Sequence, residues 1–282
     1  MSSSSRQPVG WPFPPAPTKS RPGFPVRLAG LGAPAPAVQA APPGLPSATL
    51  AAAAHDGSRA AVPVPFGLGL DSSAVRQAMV TRLVAQGLSE PAVLQALAAV
   101  ERHRFVDSAL VNQAYEDTSL PIGLGQTISK PSVVGRMLEL LLQGRCRPLG
   151  RVLEIGTGCG YQSALLARLA REVYSLERLR ALHEQARDKL RPLRLHNVHL
   201  ILGDGMLGYA QGAPYDAILS AAGGESIPQA WIEQLALGGR LVAPVALTSG
   251  RQSLVVIDKT DQGCVQTVLE AVHFVPLKSG LA

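Results

Sequence analysis

From Arg151 onward, short apolar segments alternate with amphipathic ones, and this alternation restricts the possible folds more than any other feature of the chain. Five segments have the composition of buried strands: RVLEIG, EVYSLE, VHLILGD, YDAILSAA and GRLVAPV. Helical patterns lie between them in YQSALLARLA, LRALHEQARDKL and PQAWIEQLA. Alternating strands and helices build βαβ units, in which helices cover both faces of a parallel sheet. The pattern predicts a doubly wound α/β domain with a mostly parallel sheet.

Both ends of this pattern differ from its middle. At the C-terminal end, QSLVVIDKT and CVQTVLEAVHFVPL are joined by the turn DQG with no helix between them, which predicts an antiparallel edge. Before the first strand, three helices are predicted in DSSAVRQAMVTRLVAQG, SEPAVLQALAAVERHRF and SVVGRMLELLLQG. For the second helix we expect Ser89 as the N-cap and Pro91 in the first turn. The segment GLGQTISKPS separates the second helix from the third.

Residues 1–70 have a different composition from the rest of the chain. More than half of the 23 prolines lie here, among alanine, serine and glycine. Such a segment buries too little apolar surface to offset its ordering entropy, so we expect a disordered tail. It lacks the continuous apolar run of a secretory signal, and an organelle transit peptide is the weaker alternative. The expected ordered domain is 71–282, with helices and a loop in 71–145 and the α/β core in 146–282.

Charge, hydropathy and cysteine content exclude several functional classes. Five basic residues and one acidic residue in the first 70 account for +4 of the net charge of +6, so no basic stripe of a nucleic-acid-binding core is indicated. No apolar run reaches the roughly 18 residues of a membrane span. Cys146, Cys159 and Cys264 lack the spacing of a disulfide framework or a metal site. We expect no nucleic acid, membrane or metal partner, and a reducing, cytoplasmic compartment.

The first strand runs into EIGTGCGYQ, in which Gly156, Gly158 and Gly160 have GxGxG spacing. Glycine allows a sharp turn and a close approach of a ligand to the backbone. In open α/β sheets, ligands bind beyond the carboxyl ends of the strands, where this turn lies. Tyr161 occupies the position of the third glycine in a dinucleotide fingerprint. Taken alone, the spacing is equally typical of a tight strand-to-helix turn.

Two acids at strand ends add to this signal. Glu177 ends the second strand, 21 residues after Gly156, where a carboxylate can accept hydrogen bonds from both ribose hydroxyls. Asp204 ends the third strand, where it can meet an adenine edge. A nucleoside cofactor without a pyrophosphate fits this arrangement, which favours S-adenosylmethionine over NAD. The predicted cofactor-binding residues are Gly156, Thr157, Gly158, Gly160, Glu177, Arg178, Asp204 and Gly205; the alternative for each acid is a solvated strand end or a helix cap.

Residues from about Ser72 to Leu277 resemble the protein-L-isoaspartate O-methyltransferases. The matching stretches are RFVDSALVNQAYEDTSLPIGLGQTISKP, VLEIGTGCGYQSALLA, YDAILSAAGGESIPQAWIEQLALGGRLVAPV and HFVPL. The glycine turn is common to class I methyltransferases, whereas LPIGLGQTISKP is specific to this family. The resemblance implies a Rossmann-like class I fold, S-adenosylmethionine as methyl donor, and methylation of L-isoaspartyl and D-aspartyl carboxylates in damaged proteins. It also identifies 71–145 as carrying the acceptor loop, and we expect a monomer.

The resemblance implies that QTIS lies over the cofactor, with Thr127 and Ser129 facing the methyl donor and the acceptor carboxylate and Ser129 at the family's active-site serine. A carboxylic acid with a pKa near about 3.9 is already an anion at neutral pH, so no general base is required. Neutral hydroxyl donors can orient it without stabilising the ground state more than the transition state. The alternatives are a class I methyltransferase acting on a small molecule or RNA, and a non-catalytic domain that binds the cofactor or a partner.

Overall fold

The computed structural model describes residues 73–246 and 251–282, so the predicted tail of 1–70 lies outside the described residues. Its helices are α1 (Ser73–Ala85), α2 (Pro91–Ala99), α3 (Pro131–Leu142), α4 (Tyr161–Leu166), α5 (Arg180–Leu190) and α6 (Gln229–Gln234). Its strands are β1 (Leu120–Gly123), β2 (Gln126–Ile128), β3 (Leu149–Ile155), β4 (Ala170–Glu177), β5 (Val198–Leu202), β6 (Tyr215–Ser220), β7 (Leu235–Ala246), β8 (Gln252–Thr260) and β9 (Gly263–Val272).

Seven strands form the central sheet in the order β5-β4-β3-β6-β7-β8-β9. The first five are mutually parallel, while β8 and β9 are antiparallel to their neighbours. The predicted doubly wound sheet with an antiparallel C-terminal edge is therefore confirmed. The carboxyl ends of β3, β4 and β6 meet at one edge, which is where parallel α/β sheets bind ligands.

Both faces of the sheet are buried, as the near-continuous apolar strands require. Val152 of β3 packs into a core shared with α1 to α4, and the next residue, Leu153, packs into a second core on the opposite face around Trp231. This alternation follows from the two-residue period of a strand. The N-terminal helices therefore cover one face of the sheet. The β1–β2 hairpin lies close to the turn after β3, because a Cβ added to Gly158 would meet Ile122 Cδ1 at 3.2 Å.

Three local predictions need correction. The N-cap of α2 is Glu90, whose side chain accepts from the Ala92 amide, and Ser89 instead binds Glu139 of α3 through its amide and hydroxyl. The second helix ends at Ala99 and is followed by a 3₁₀ turn over Arg102–Phe105. The last strand ends at Val272, because the Phe274 amide donates to the Gln252 side chain at 2.7 Å.

Candidate functional site

A cavity of about 270 Å³ opens at the carboxyl ends of β3 and β4. It is lined by the β1–β2 hairpin and the residue after it, the glycine turn, the end of β4 and the segment that follows β9. Eight of the ten predicted site residues line it: Thr127, Ser129, Gly156, Thr157, Gly158, Glu177, Arg178 and Gly205. Gly160 and Asp204 do not. The long-range fold thus brings together residues that the sequence separates by up to 78 positions.

The glycine turn joins β3 to α4 with a backbone that side chains disfavour. Gly156 has φ +89° and Gly160 has φ +89°, both in the left-handed region. Gly160 is the N-cap of α4 and lies against Leu190, 2.9 Å from where a Cβ would stand, so it serves the turn rather than lining the cavity. The amides of Gly156 and Thr157 donate to the Leu176 carbonyl at 2.9 and 3.1 Å, which ties the turn to β4.

Glu177 is the acid that contacts this turn directly. Its Oε2 accepts from the Gly158 amide at 2.9 Å and its Oε1 accepts from the Leu179 amide at 2.9 Å. The residue is 5% exposed, yet it borders the cavity. An ionised carboxylate has about four acceptor sites, so two remain for ligand hydroxyls. Among the described residues that line the cavity, Glu177 is the only acid.

A buried acid behind the turn was missed by the sequence reasoning. Glu154, 0% exposed, accepts from the hydroxyls of Ser163 and Ser175, and the Thr157 hydroxyl is 2.6 Å from that of Ser175. Desolvation outweighs these hydrogen bonds and raises the pKa of Glu154 to about 7. The signal in the sequence is an acid inside the apolar strand VLEIG. This network holds the Thr157 hydroxyl beside Ser175, behind the glycine turn.

Asp204 lies beside the cavity rather than in its lining. Its Oδ1 accepts from the Met206 amide at 2.8 Å, and its Oδ2 accepts from the Gly280 amide at 2.6 Å. The Arg178 guanidinium donates to the Gly280 carbonyl at 2.9 Å. The last described residues therefore bridge two predicted cofactor-binding residues, a contact that local sequence patterns do not reveal.

The predicted acceptor loop, which contains QTIS, forms the β1–β2 hairpin, with Thr127 in β2 and Ser129 directly after it. Thr127 is exposed and Ser129 is half-buried, and both line the cavity. Within 73–246 and 251–282, neither hydroxyl has a hydrogen-bond partner in the protein. Both can therefore donate to a ligand anion. In the same part of the chain, no group of three His, Cys, Asp or Glu side chains could hold a metal ion, and no helix is long and apolar enough to span a membrane.

Comparisons with known proteins agree with this geometry. The family model described as protein-L-isoaspartate(D-aspartate) O-methyltransferase (PCMT) matches residues 74–282. A protein-L-isoaspartate O-methyltransferase of Methylibium petroleiphilum is 57% identical over 264 residues, which cover 92% of this chain and 96% of the relative. One of Leptothrix cholodnii is 60% identical over 220 residues, covering 76% and 77%.

Solved structures give the same result for the fold. A protein-L-isoaspartate O-methyltransferase structure with 30% identity aligns with a TM-score of 0.66 over 73% of this chain and 67% of that one. A Plasmodium falciparum protein determined in complex with S-adenosyl-L-homocysteine is 23% identical, with a TM-score of 0.62 over 72% and 98% of the two chains. At that identity the likeness establishes a shared fold.

Proposed function

Because this chain belongs to the protein-L-isoaspartate(D-aspartate) O-methyltransferase family, we infer that it transfers a methyl group from S-adenosylmethionine to the free carboxylate of L-isoaspartyl and D-aspartyl residues in damaged proteins. The methyl ester then closes to a succinimide, which hydrolyses partly back to normal aspartate. One observation carries the assignment beyond family membership. The two hydroxyls of the acceptor loop and Glu177, the acid that ends β4, line the same cavity.

The residues that line the cavity fit the methyl donor. Leu176, Leu179 and Leu182 form an apolar wall suited to a purine ring, and Glu177 beside them has acceptor sites left for ribose hydroxyls. We propose that Glu177, the glycine turn and Gly205 hold the donor, with Asp204 and Arg178 at the adenine end. When bound, S-adenosylmethionine supplies a methyl group on a sulfonium.

The protein's own part in the reaction is to place an anion and exclude water. The acceptor carboxylate is already ionised at neutral pH, so no side chain has to remove a proton. We propose that the hydroxyls of Ser129 and Thr127 donate to it and fix its direction of attack. The transition state carries less charge than the separated reactants. A cation beside the carboxylate would therefore stabilise the reactants more than the transition state, whereas neutral donors orient the carboxylate without this effect. We propose that the hairpin and the bound substrate together exclude water from the nucleophile.

The alternative functions are less well supported. A class I methyltransferase acting on a small molecule or RNA would share the glycine turn and the two acids, but the family match also spans the acceptor hairpin. A non-catalytic binding domain would not require the hydroxyls of Thr127 and Ser129 in the lining of the cavity. We retain as proposals that the enzyme is a cytoplasmic monomer with no nucleic-acid or membrane partner, and that residues 71–282 form the catalytic domain.

Transfer of labelled methyl from S-adenosylmethionine to paired peptides tests the proposed function. The two peptides differ only in carrying isoaspartate or aspartate at one position. We expect label on the isoaspartyl peptide alone. Equal labelling of both peptides, or of neither, would contradict the assignment. An RNA and a small carboxylic acid, included as further acceptors, test the alternative directly.

A further inference from the structure

A second cleft, of about 530 Å³, meets the cofactor cavity at Ser129, which lines both. Its lining also includes Lys130, Arg251, Gln252 and His273, and we call this region the basic cleft. On the proposed function, the acceptor carboxylate lies at Ser129. The residues that flank the isoaspartate must then leave the active site along a surface that borders Ser129, and the basic cleft is such a surface.

The fold places two of these side chains opposite each other. Gln252 of β8 and Val272 of β9 are partners in the antiparallel register, so Arg251 and His273 face one another just beyond the last pair. The Gln252 amide fixes this wall, since its Oε1 accepts from the Phe274 amide at 2.7 Å and its Nε2 donates to the Phe274 carbonyl at 3.2 Å. Lys130, next to Ser129, lies in the lining as well.

Two cationic side chains of the cleft lack an acidic partner among the described residues. Lys130 and Arg251 are exposed, and neither forms an ion pair with any residue of 73–246 or 251–282. No acidic side chain belongs to the described lining. The adjacent cleft is different, because its Arg136 is paired with Glu139 at 3.1 Å and with Glu270 at 3.0 Å.

We propose that the basic cleft binds acidic side chains on either side of the isoaspartyl residue, so that the enzyme prefers damaged sites in acidic segments. Charges of this kind raise the association rate and the specificity more than they raise the rate of the methyl transfer itself. On this proposal, the hydroxyls of Thr127 and Ser129 bind the acceptor carboxylate and the basic cleft binds the residues that flank it.

Three isoaspartyl peptides with flanking Glu, Gln or Lys residues test this proposal through kcat/KM. We expect about a fivefold advantage of the Glu peptide over the Gln peptide at low salt, consistent with one or two exposed charge pairs. The advantage should shrink in high salt, where exposed charges are screened. Arg251→Glu should reverse the order, so that the Lys peptide becomes the best substrate. Arg171→Glu makes the same change in net charge on an exposed residue of β4 outside the cleft and should match the wild type.

Each result has a distinct consequence. A wild-type ratio near one, or an equal shift in both variants, would overturn the basic cleft as a substrate-recognition surface while leaving the proposed function intact. Competition by single-stranded RNA with no difference among peptides would assign the cleft to nucleic acid and also overturn the proposal. If none of the isoaspartyl peptides is methylated, the proposed function fails and this inference fails with it.

Discussion

The backbone amide of Gly280 donates a 2.6 Å hydrogen bond to Oδ2 of Asp204, although 76 positions separate the two residues. The surrounding contacts extend this link. The Ala282 amide donates to the Arg178 carbonyl at 3.0 Å, and the Arg180 amide donates to the Ala282 carbonyl at 2.9 Å. The segment 278–282 therefore runs alongside 178–180, directly after the acid proposed to hold the ribose.

Removal of residues 279–282 should weaken the binding of S-adenosylhomocysteine by about five- to tenfold. The Gly280 amide donates to the charged Asp204 carboxylate, and a hydrogen bond of this kind contributes about 1.5–3 kcal/mol. This hydrogen bond holds Asp204 in place. Calorimetric titration measures the change. Ser279→Ala is the matched control, because that exposed side chain forms no hydrogen bond to another described residue. An unchanged Kd for the truncated protein would show that the segment does not support the cofactor site.

Glu177→Ala should lower the affinity for S-adenosylhomocysteine by tenfold or more. The substitution removes the proposed acceptor of two ribose hydroxyls, and each such hydrogen bond to a charged group is worth about 1.5–3 kcal/mol. It also frees the amides of Gly158 and Leu179, so the melting temperature must be measured alongside the titration. Glu225→Ala, at an exposed acid away from the cavity, serves as control. Wild-type affinity in Glu177→Ala would remove this residue from the proposed site.

Ser129→Ala should reduce kcat on an isoaspartyl peptide by about ten- to a hundredfold, with much less change in cofactor affinity. One neutral donor to a placed anion is lost, while the glycine turn and Glu177 are untouched. Steady-state rates and a titration with S-adenosylhomocysteine separate the two effects. Ser132→Ala, in the first turn of α3, is the control. Turnover at the wild-type rate in Ser129→Ala would refute the assigned role.

Protein stability should fall as the pH rises from about 5 to 8, because of Glu154. Burial raises its pKa to about 7 in the folded protein, whereas an unfolded chain titrates near 4.5. Between these values the folded state binds more protons than the unfolded state, so the free energy of unfolding decreases with pH. The full contribution is on the order of 3 kcal/mol.

Glu154→Gln isolates this effect. The variant lacks the titrating group, so its free energy of unfolding should increase relative to that of the wild type as the pH rises. Urea denaturation at pH 5 and pH 8 measures the difference. Glu225→Gln, at an exposed acid, should follow the wild type at both pH values. A constant difference between Glu154→Gln and wild type across this range would contradict the shifted pKa.

Local periodicity was sufficient to predict the architecture. The apolar runs around Val152 and Ile218 became adjacent parallel strands, and the turn DQG became the connection between β8 and β9. The acceptor hairpin was not predicted, because its two-residue turn places Leu124 at φ +52° next to Gly125 at φ +69°. Leucine is rarely found in that conformation, so the sequence does not suggest a two-residue hairpin turn here.

For the site, the sequence by itself determined which chemical groups are available: glycines after β3, an acid at the end of β4, another acid after β5, and two hydroxyls in QTIS. Each of these residues lies at or near the end of a strand or loop. Its distance along the chain from that strand therefore determines at which edge of the sheet it lies. Only the tertiary structure decided which groups meet. The Glu139 carboxylate accepts a hydrogen bond from the Ser89 hydroxyl, 50 positions away in the chain, and the Gly280 amide donates to the Asp204 carboxylate. Such contacts depend on how whole elements pack, and no local propensity encodes the distance between them.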